Sequence, residues 1–145
     1  MNIYVASSWQ NRQQPVVVRA LRSDDHEVYD FRNPDWGERG FQWSDISPKW
    51  QEWSTAQFKA ALQHEFAVKG LAQNKAALDA CDAAVLVLPS SRSGFVDLGY
   101  ACGAKKLTAV LLLEEGCAPE LEYGLADFLA TDLAEVRKWL KSVKR

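Results

Sequence analysis

The chain is poor in the side chains that bind metals or form crosslinks. Among 145 residues there are three cysteines, two histidines and one methionine. Cys81, Cys102 and Cys117 form no CxxC pair, and His26 and His64 do not complete a ligand set, so no metal site is expected. An odd cysteine count without a disulfide framework points to a reducing compartment. A basic surplus is missing too. Seventeen Lys and Arg stand against 19 Asp and Glu, a net charge of −2, which argues against gripping the phosphates of a nucleic-acid polymer. The two longest apolar runs, residues 83–89 and 109–113, fall far short of the roughly 20 residues that span a bilayer. The first six residues carry neither the basic stretch nor the apolar core of a signal peptide. No membrane partner and a cytoplasmic setting are therefore expected. The patterns G-x-G-x-x-G, G-x-x-x-x-G-K-[ST] and G-x-S-x-G are all missing, which removes the common dinucleotide, P-loop and serine-hydrolase signatures and implies no cofactor.

What is present is the balance of a folded protein: 48% apolar and 25% charged residues, enough for one domain over residues 1–145 with a real core. Six residues are Trp, and four of them fall between Trp36 and Trp53.

Residues 2–7 read as a buried strand, followed by a polar turn. Pro15 suits the first turn of a helix carrying Val16, Val17, Ala20 and Leu21, which Asp24 and Asp25 stop. A second strand alternates over 26–31. Residues 32–53 then lose any period: Pro34, Gly37, Gly40 and Pro48 punctuate aromatic residues, which predicts a long loop inserted into the domain. Ser54-Thr55-Ala56-Gln57 is a capping-box pattern, so a helix starts at Thr55, bends at Gly70 and resumes to about Ala80. An apolar strand at 83–88, a helix at 95–104, an apolar strand at 107–113 and a helix at 119–126 follow. A short edge strand at 128–130 precedes a last helix that Thr131 caps, with Leu133, Val136, Trp139 and Leu140 on one face.

Strands separated by helices, with the middle strands apolar on both faces, predict an α/β fold: a three-layer, doubly wound, five-stranded parallel sheet of flavodoxin-like order 2-1-3-4-5. Ligands of such sheets bind beyond the carboxyl ends of the strands, at the switch between strands 1 and 3. The loops at that point are 7–11 and 89–94, with the aromatic loop as a cover. Asp97 falls in the first turn of the helix expected after loop 89–94, where any helix-start acid is favourable. Ser90, Ser91 and Ser93 fit ordinary turn and cap residues. With Arg92 they equally fit a phosphate or sugar hydroxyl at a helix N-terminus.

Three segments in this order carry a resemblance: Ile3-Tyr4-Val5-Ala6-Ser7-Ser8-Trp9, then residues 80–89 ending in Val85-Leu86-Val87-Leu88-Pro89, then Asp97-Leu98-Gly99-Tyr100-Ala101. Together they resemble the nucleoside 2-deoxyribosyltransferase family, which includes nucleotide N-glycosidases, from strand 1 to strand 4. Gly40-Phe41-Gln42-Trp43-Ser44 and Pro119-Glu120-Leu121-Glu122-Tyr123 look like a shorter bacterial and phage branch. The resemblance implies a carboxylate nucleophile that attacks C1′ of a 2′-deoxynucleoside or deoxynucleotide, expels the base and passes the sugar to a second base or to water. The position matching the nucleophile is Asp97, and the Tyr that orients it is Tyr4. Ser7, Ser91, Arg92, Ser93 and Gly94 are the implied sugar or phosphate contacts. Two positions depart from the family. Asp97 replaces Glu and is shorter by about 1.5 Å of reach, and a misplacement near 1 Å costs on the order of a hundredfold in rate. The acid that helps the base leave is replaced by Asn74, which contacts a base but supplies no proton. Asp79, five residues on, lies about 140° around a helix and replaces it poorly. The alternative reading is therefore a catalytically impaired relative that binds a nucleotide as a sensor.

The family implies a homo-oligomer in which a partner subunit contributes to the site, here through Glu122 and Tyr123. The partner ligand is a small-molecule nucleoside or nucleotide. Of the aromatic residues, Trp139 reads as core by its spacing. One of the loop residues, Trp43 or Phe41, is expected to line the pocket, where stacking on a base is worth about 1–3 kcal/mol. The others are expected to pack on the domain or a neighbour.

Overall fold

The computed structural model describes residues 1–34, 38–113 and 119–143, so Trp36 and Cys117 lie outside the described residues. The elements are β1 (Asn2–Ala6), α1 (Gln14–Ser23), β2 (Glu27–Asp30), α2 (Thr55–Ala61), α3 (Glu65–Ala80), β3 (Ala83–Val87), α4 (Arg92–Gly103), β4 (Leu107–Leu111), β5 (Phe128–Ala130) and α5 (Leu133–Val143). Short 3-10 turns occupy Trp43–Asp45, Trp50–Glu52 and Leu121–Leu125. The five strands form one sheet in the order β2-β1-β3-β4-β5, and every pairing is parallel. This is the three-layer flavodoxin-like arrangement expected from the strand and helix pattern.

Period-two alternation divides the strand residues between two cores. Ile3, Val5, Val85 and Val87 face α1 and α5, where Val17, Leu21, Val136 and Leu140 complete one cluster. Tyr4, Ala6, Ala84 and Leu86 face the other way and meet Leu78 of α3 with Leu98 and Ala101 of α4. All five residues of β3 are buried, because helices cover both faces of a parallel sheet. Trp139 stacks on Phe128 with ring centroids 5.3 Å apart against the first cluster, the packing its helical spacing implied.

Several boundaries differ from expectation, each for a local reason. The bend expected at Gly70 lies instead between Ala61 and Glu65, where His64 takes extended backbone and its Nδ1 accepts the Phe66 N–H at 3.1 Å to cap α3. Gly70 sits inside an unbroken helix because Phe41 leans on it: a Cβ there would lie 2.8 Å from Phe41 Cβ. Helix α4 begins at Arg92, three residues early, which moves Asp97 out of the first turn and removes the dipole argument for its position. The segment expected to be helical at 119–126 makes only the 3-10 turn Leu121–Leu125. At the start of α5, Asp132 rather than Thr131 accepts the Glu135 N–H, at 2.8 Å, while the Glu135 carboxylate takes the Thr131 N–H. The capping box at Ser54 and Gln57 forms as its pattern indicated, with Oγ and Oε1 each accepting the other residue's backbone N–H. No helix among the described residues is long and apolar enough to cross a membrane.

The Phe41 contact makes a sign prediction. Replacing a helix-interior glycine by alanine normally gains about 1 kcal/mol. Here Gly70→Ala is expected to lose about 1–2 kcal/mol by overpacking against Phe41. The denaturant midpoint checks this, and a changed Trp emission should report the disturbed Phe41–Trp43 packing.

Candidate active site

Tyr4 lies mid-strand on the face that α3 and α4 cover, and its side chain is fully buried. A buried phenol needs an acceptor. It finds one in α4: the Tyr4 hydroxyl donates to Asp97 Oδ2 at 3.0 Å. Six residues in from the Ser91 cap, Asp97 lies about 9 Å down the helix axis. Because α4 runs back over the sheet, this lowers the carboxylate from the strand ends toward the level of Tyr4. Burial raises its pKa from the ordinary 3.8 to about 6, and the Tyr4 hydrogen bond opposes that rise only in part. No Lys, Arg or His pairs with Asp97 among the described residues. The Tyr4 phenol is itself pushed far above its usual range, first by burial and then by Asp97, so it stays a hydrogen-bond donor.

Tyr29 extends this pair. It faces Tyr4 across the β1–β2 register, and the two rings stack at 5.2 Å and 18°. Its hydroxyl donates to Asn74 Oδ1 at 2.8 Å. Asp97 and Asn74, the two positions that depart from the family pattern, are thus each held by one ring of a stacked tyrosine pair. Sequence reasoning passed over Tyr29. The available signal was its place opposite Tyr4 on a neighbouring parallel strand, which only the register reveals.

A second set of contacts locks the switch point between β1 and β3. Ser7 Oγ donates to Val87 O at 2.8 Å, and Asn11 Nδ2 donates to Pro89 O at 3.0 Å and to Val87 O at 3.2 Å. Asn11 Oδ1 accepts the Gln13 and Gln14 N–H groups, which starts α1. The Arg32 guanidinium donates from Nη2 to Ser8 O and Asn11 O, both at 2.7 Å, and lies over the Trp9 and Phe31 rings. Ser7, expected to touch substrate, therefore spends its hydroxyl proton on the scaffold. Asn11 and Arg32, which carried no sequence motif, do most of the positioning.

The loop expected to meet a sugar or phosphate leads into α4. Ser91 Oγ and Ser93 Oγ lie 2.9 Å apart at the start of α4, and the Ser91 side chain caps no backbone N–H. Arg92 is exposed and Gly94 is buried, with a Cβ at Gly94 excluded by Ser90 Oγ at 2.0 Å. Phe41 and Trp43 are drawn into one aromatic cluster rather than standing apart. Trp43 meets Phe41, Trp53 and Phe58 edge-on at 4.9, 5.9 and 5.4 Å. Tyr123 stacks on Phe95 of its own chain at 6.0 Å. With the exposed Glu122 it lines a groove of about 230 Å³ between α4 and the Leu121–Leu125 turn, which neither Asp97 nor Tyr4 reaches. Asp79 is committed elsewhere: Lys75 Nζ donates to it at 2.7 Å and the Tyr100 hydroxyl at 2.5 Å, and these bonds hold its pKa below the ordinary value. Among the described residues no group of three or more His, Cys, Asp or Glu is placed to hold a metal.

Fold and site together define a doubly wound α/β protein with a desolvated carboxylate–phenol pair where α4 packs over β1. No protein-family model matches the sequence, and no curated protein matches it. Among solved structures the chain is similar to BcmB, a CMP N-glycosidase of Clostridium botulinum, with 15% identity over 96% of this chain and 97% of that one and a TM-score of 0.51. At that identity the likeness is one of fold.

The carboxylate carries a stability prediction. A folded-state pKa raised above the unfolded value favours the protonated form, so its contribution is fully present below about pH 3.8 and lost as pH rises through about 6. Asp97→Asn keeps an acceptor for Tyr4 without the charge. It should gain about 1–3 kcal/mol at pH 8 and nothing at pH 3.5. Equal stability of the two proteins at both pH values, by denaturant titration, would contradict the desolvated placement.

Proposed function

We propose that the protein cleaves or transfers at the N-glycosidic bond of a 2′-deoxynucleoside or deoxynucleotide, with Asp97 as the nucleophile. The observation that carries this reading is the Tyr4 hydroxyl on Asp97 Oδ2 at 3.0 Å, which fixes one oxygen and leaves the other to attack C1′. A desolvated carboxylate without a cationic partner is an available nucleophile once ionised. The fold likeness to an N-glycosidase supports the same reaction class. In the first step an oxygen of Asp97 bonds to C1′ as the C1′–N bond breaks. In the second, water or another base takes the sugar from Asp97 with net retention. Ser91, Arg92, Ser93 and Gly94 offer hydroxyls, a guanidinium and the start of α4 to the sugar or a 5′-phosphate. Asn74 offers its amide to the base, and the Phe41–Trp43 edge of the aromatic cluster a surface to stack on. A second copy of the chain would bring Glu122 and Tyr123. The exposed Leu121 and Leu125 beside them, 91% and 69% accessible, support a subunit contact there.

One observation favours a second reading, a nucleotide-binding module without turnover: Asn74 is tied to Tyr29 as an amide where proton donation to the base would help. Chromatography of reactions with deoxynucleosides and their 5′-phosphates separates the two. The expected result is free base or exchanged nucleoside, a sugar adduct on Asp97 by mass spectrometry, and loss of at least about a thousandfold in Asp97→Asn. The nucleophile must be ionised, so kcat/KM should rise with pH through about 6 and level off above it. Tyr4→Phe should lower kcat about 10–100-fold with little change in KM. Thermal stabilisation by a nucleotide with no product at high enzyme concentration would replace the enzyme with the sensor.

A further inference from the structure

We infer that the site is built for N-glycosides whose leaving ring already carries a positive charge, N-glycosyl pyridinium nucleotides, because its Tyr4–Asp97 and Tyr29–Asn74 pairs supply a carboxylate and an amide but no acid. This rests on the N-glycosidic reading above and names its substrate class.

Among the described residues the cluster holds the titratable side chains of Tyr4, Tyr29, Asp97 and Cys81, whose buried thiol is pushed up by desolvation and is no acid. Tyr4 is locked as a donor to Asp97 and resists ionisation. Tyr29 gives its proton as a hydrogen bond to Asn74 Oδ1, and this sets the amide so that Nδ2, a donor with no acidic proton to release, faces away from it. Asp79, the nearest carboxyl along α3, is bound by Lys75 and Tyr100. Asp97 is left as the one carboxyl in the cluster among the described residues, and a single carboxyl cannot attack as an anion and protonate a leaving base in the same step.

Neutral purines and pyrimidines leave C1′ as anions unless protonated. A pyridinium ring leaves as a neutral molecule. The balance is complete without an acid: Asp97 Oδ bonds to C1′, the C1′–N bond breaks with its electron pair passing to the ring nitrogen, and the cationic ring becomes a neutral pyridine. Water then bonds to C1′, its proton goes to solvent, and the sugar leaves Asp97 as a carboxylate again.

Charge points the same way. Asp97 is half-buried with no cationic partner among the described residues, so a positive ring beside C1′ supplies the missing counter-charge. Of the stacked tyrosine pair Tyr4 is fully buried, but the Tyr29 ring is part-exposed, and an aromatic ring there attracts a desolvated cation.

The test compares base release by chromatography within matched sugar series: nicotinamide mononucleotide against CMP, and its 2′-deoxy analogue against dCMP, with Asp97→Asn as background. Nicotinamide release at least tenfold faster than cytosine release in either series, abolished in Asp97→Asn, is the expected result. Asn74→Asp should then raise the ratio of cytosine to nicotinamide release at least tenfold, because it restores a proton donor beside the base. Cytosine released as fast as nicotinamide or faster leaves the N-glycosidic reading standing and overturns this inference. Release of neither from the wild-type chain overturns both.

Discussion

The hydroxyl of Tyr4 has one place to go. The residue sits in the middle of β1, next to β3 at the centre of a sheet covered on both faces, and nothing around its ring is wet. Leaving a buried hydroxyl unpaired costs about 1–3 kcal/mol. The carboxylate of Asp97 answers it, so one contact ties a central strand to the helix that packs over it. The packing of that helix takes Asp97 out of water, and this burial pushes its pKa up to about 6 against the lowering effect of the Tyr4 hydrogen bond. Structural need and chemical poise come from a single geometry.

Around this pair the molecule divides its polar groups between holding and offering. Ser7, Asn11 and Arg32 hold: they close the loop after β1 onto the end of β3 and onto the aromatic Trp9 and Phe31. Their donors are spent on backbone carbonyls, which makes the floor of the crevice rigid. Ser91, Ser93 and Arg92 stand at an uncapped helix start, and Asn74 turns its amide outward from Tyr29. Those are the groups that the proposed reaction assigns to the ligand. The aromatic insertion does neither alone. Its Trp43 is the hub of a cluster with Phe41, Trp53 and Phe58, and Phe41 reaches α3 only because residue 70 has no side chain.

How much of this could be read in advance depended on the range of the forces involved. The apolar runs of β3 and β4, the capping box at Ser54 and the amphipathic face of α5 are local patterns, and the structure contains them where the pattern put them. The start of α4 was misplaced because Ser90–Gly94 looks like a loop until Gly94 packs against Ser90 and Leu86. Gly70 looked like a helix break for the same kind of reason: its partner, Phe41, is 29 residues away. Asp97 and Tyr4 were singled out from a resemblance, without any geometric sign that they meet. Tyr29 was not singled out at all.

By itself, then, the sequence determined the succession of strands and the parallel five-stranded sheet, because periodicity, capping and composition act within a few residues of one another. The tertiary structure decided the site. It set two tyrosines side by side through strand register, hung Asp97 and Asn74 from their hydroxyls, and fixed which serine, asparagine and arginine groups are spent on the scaffold. Each of those outcomes joins residues 21 to 93 positions apart. Hydrogen bonds across such separations exist only after the sheet has closed, and no local pattern anticipates them.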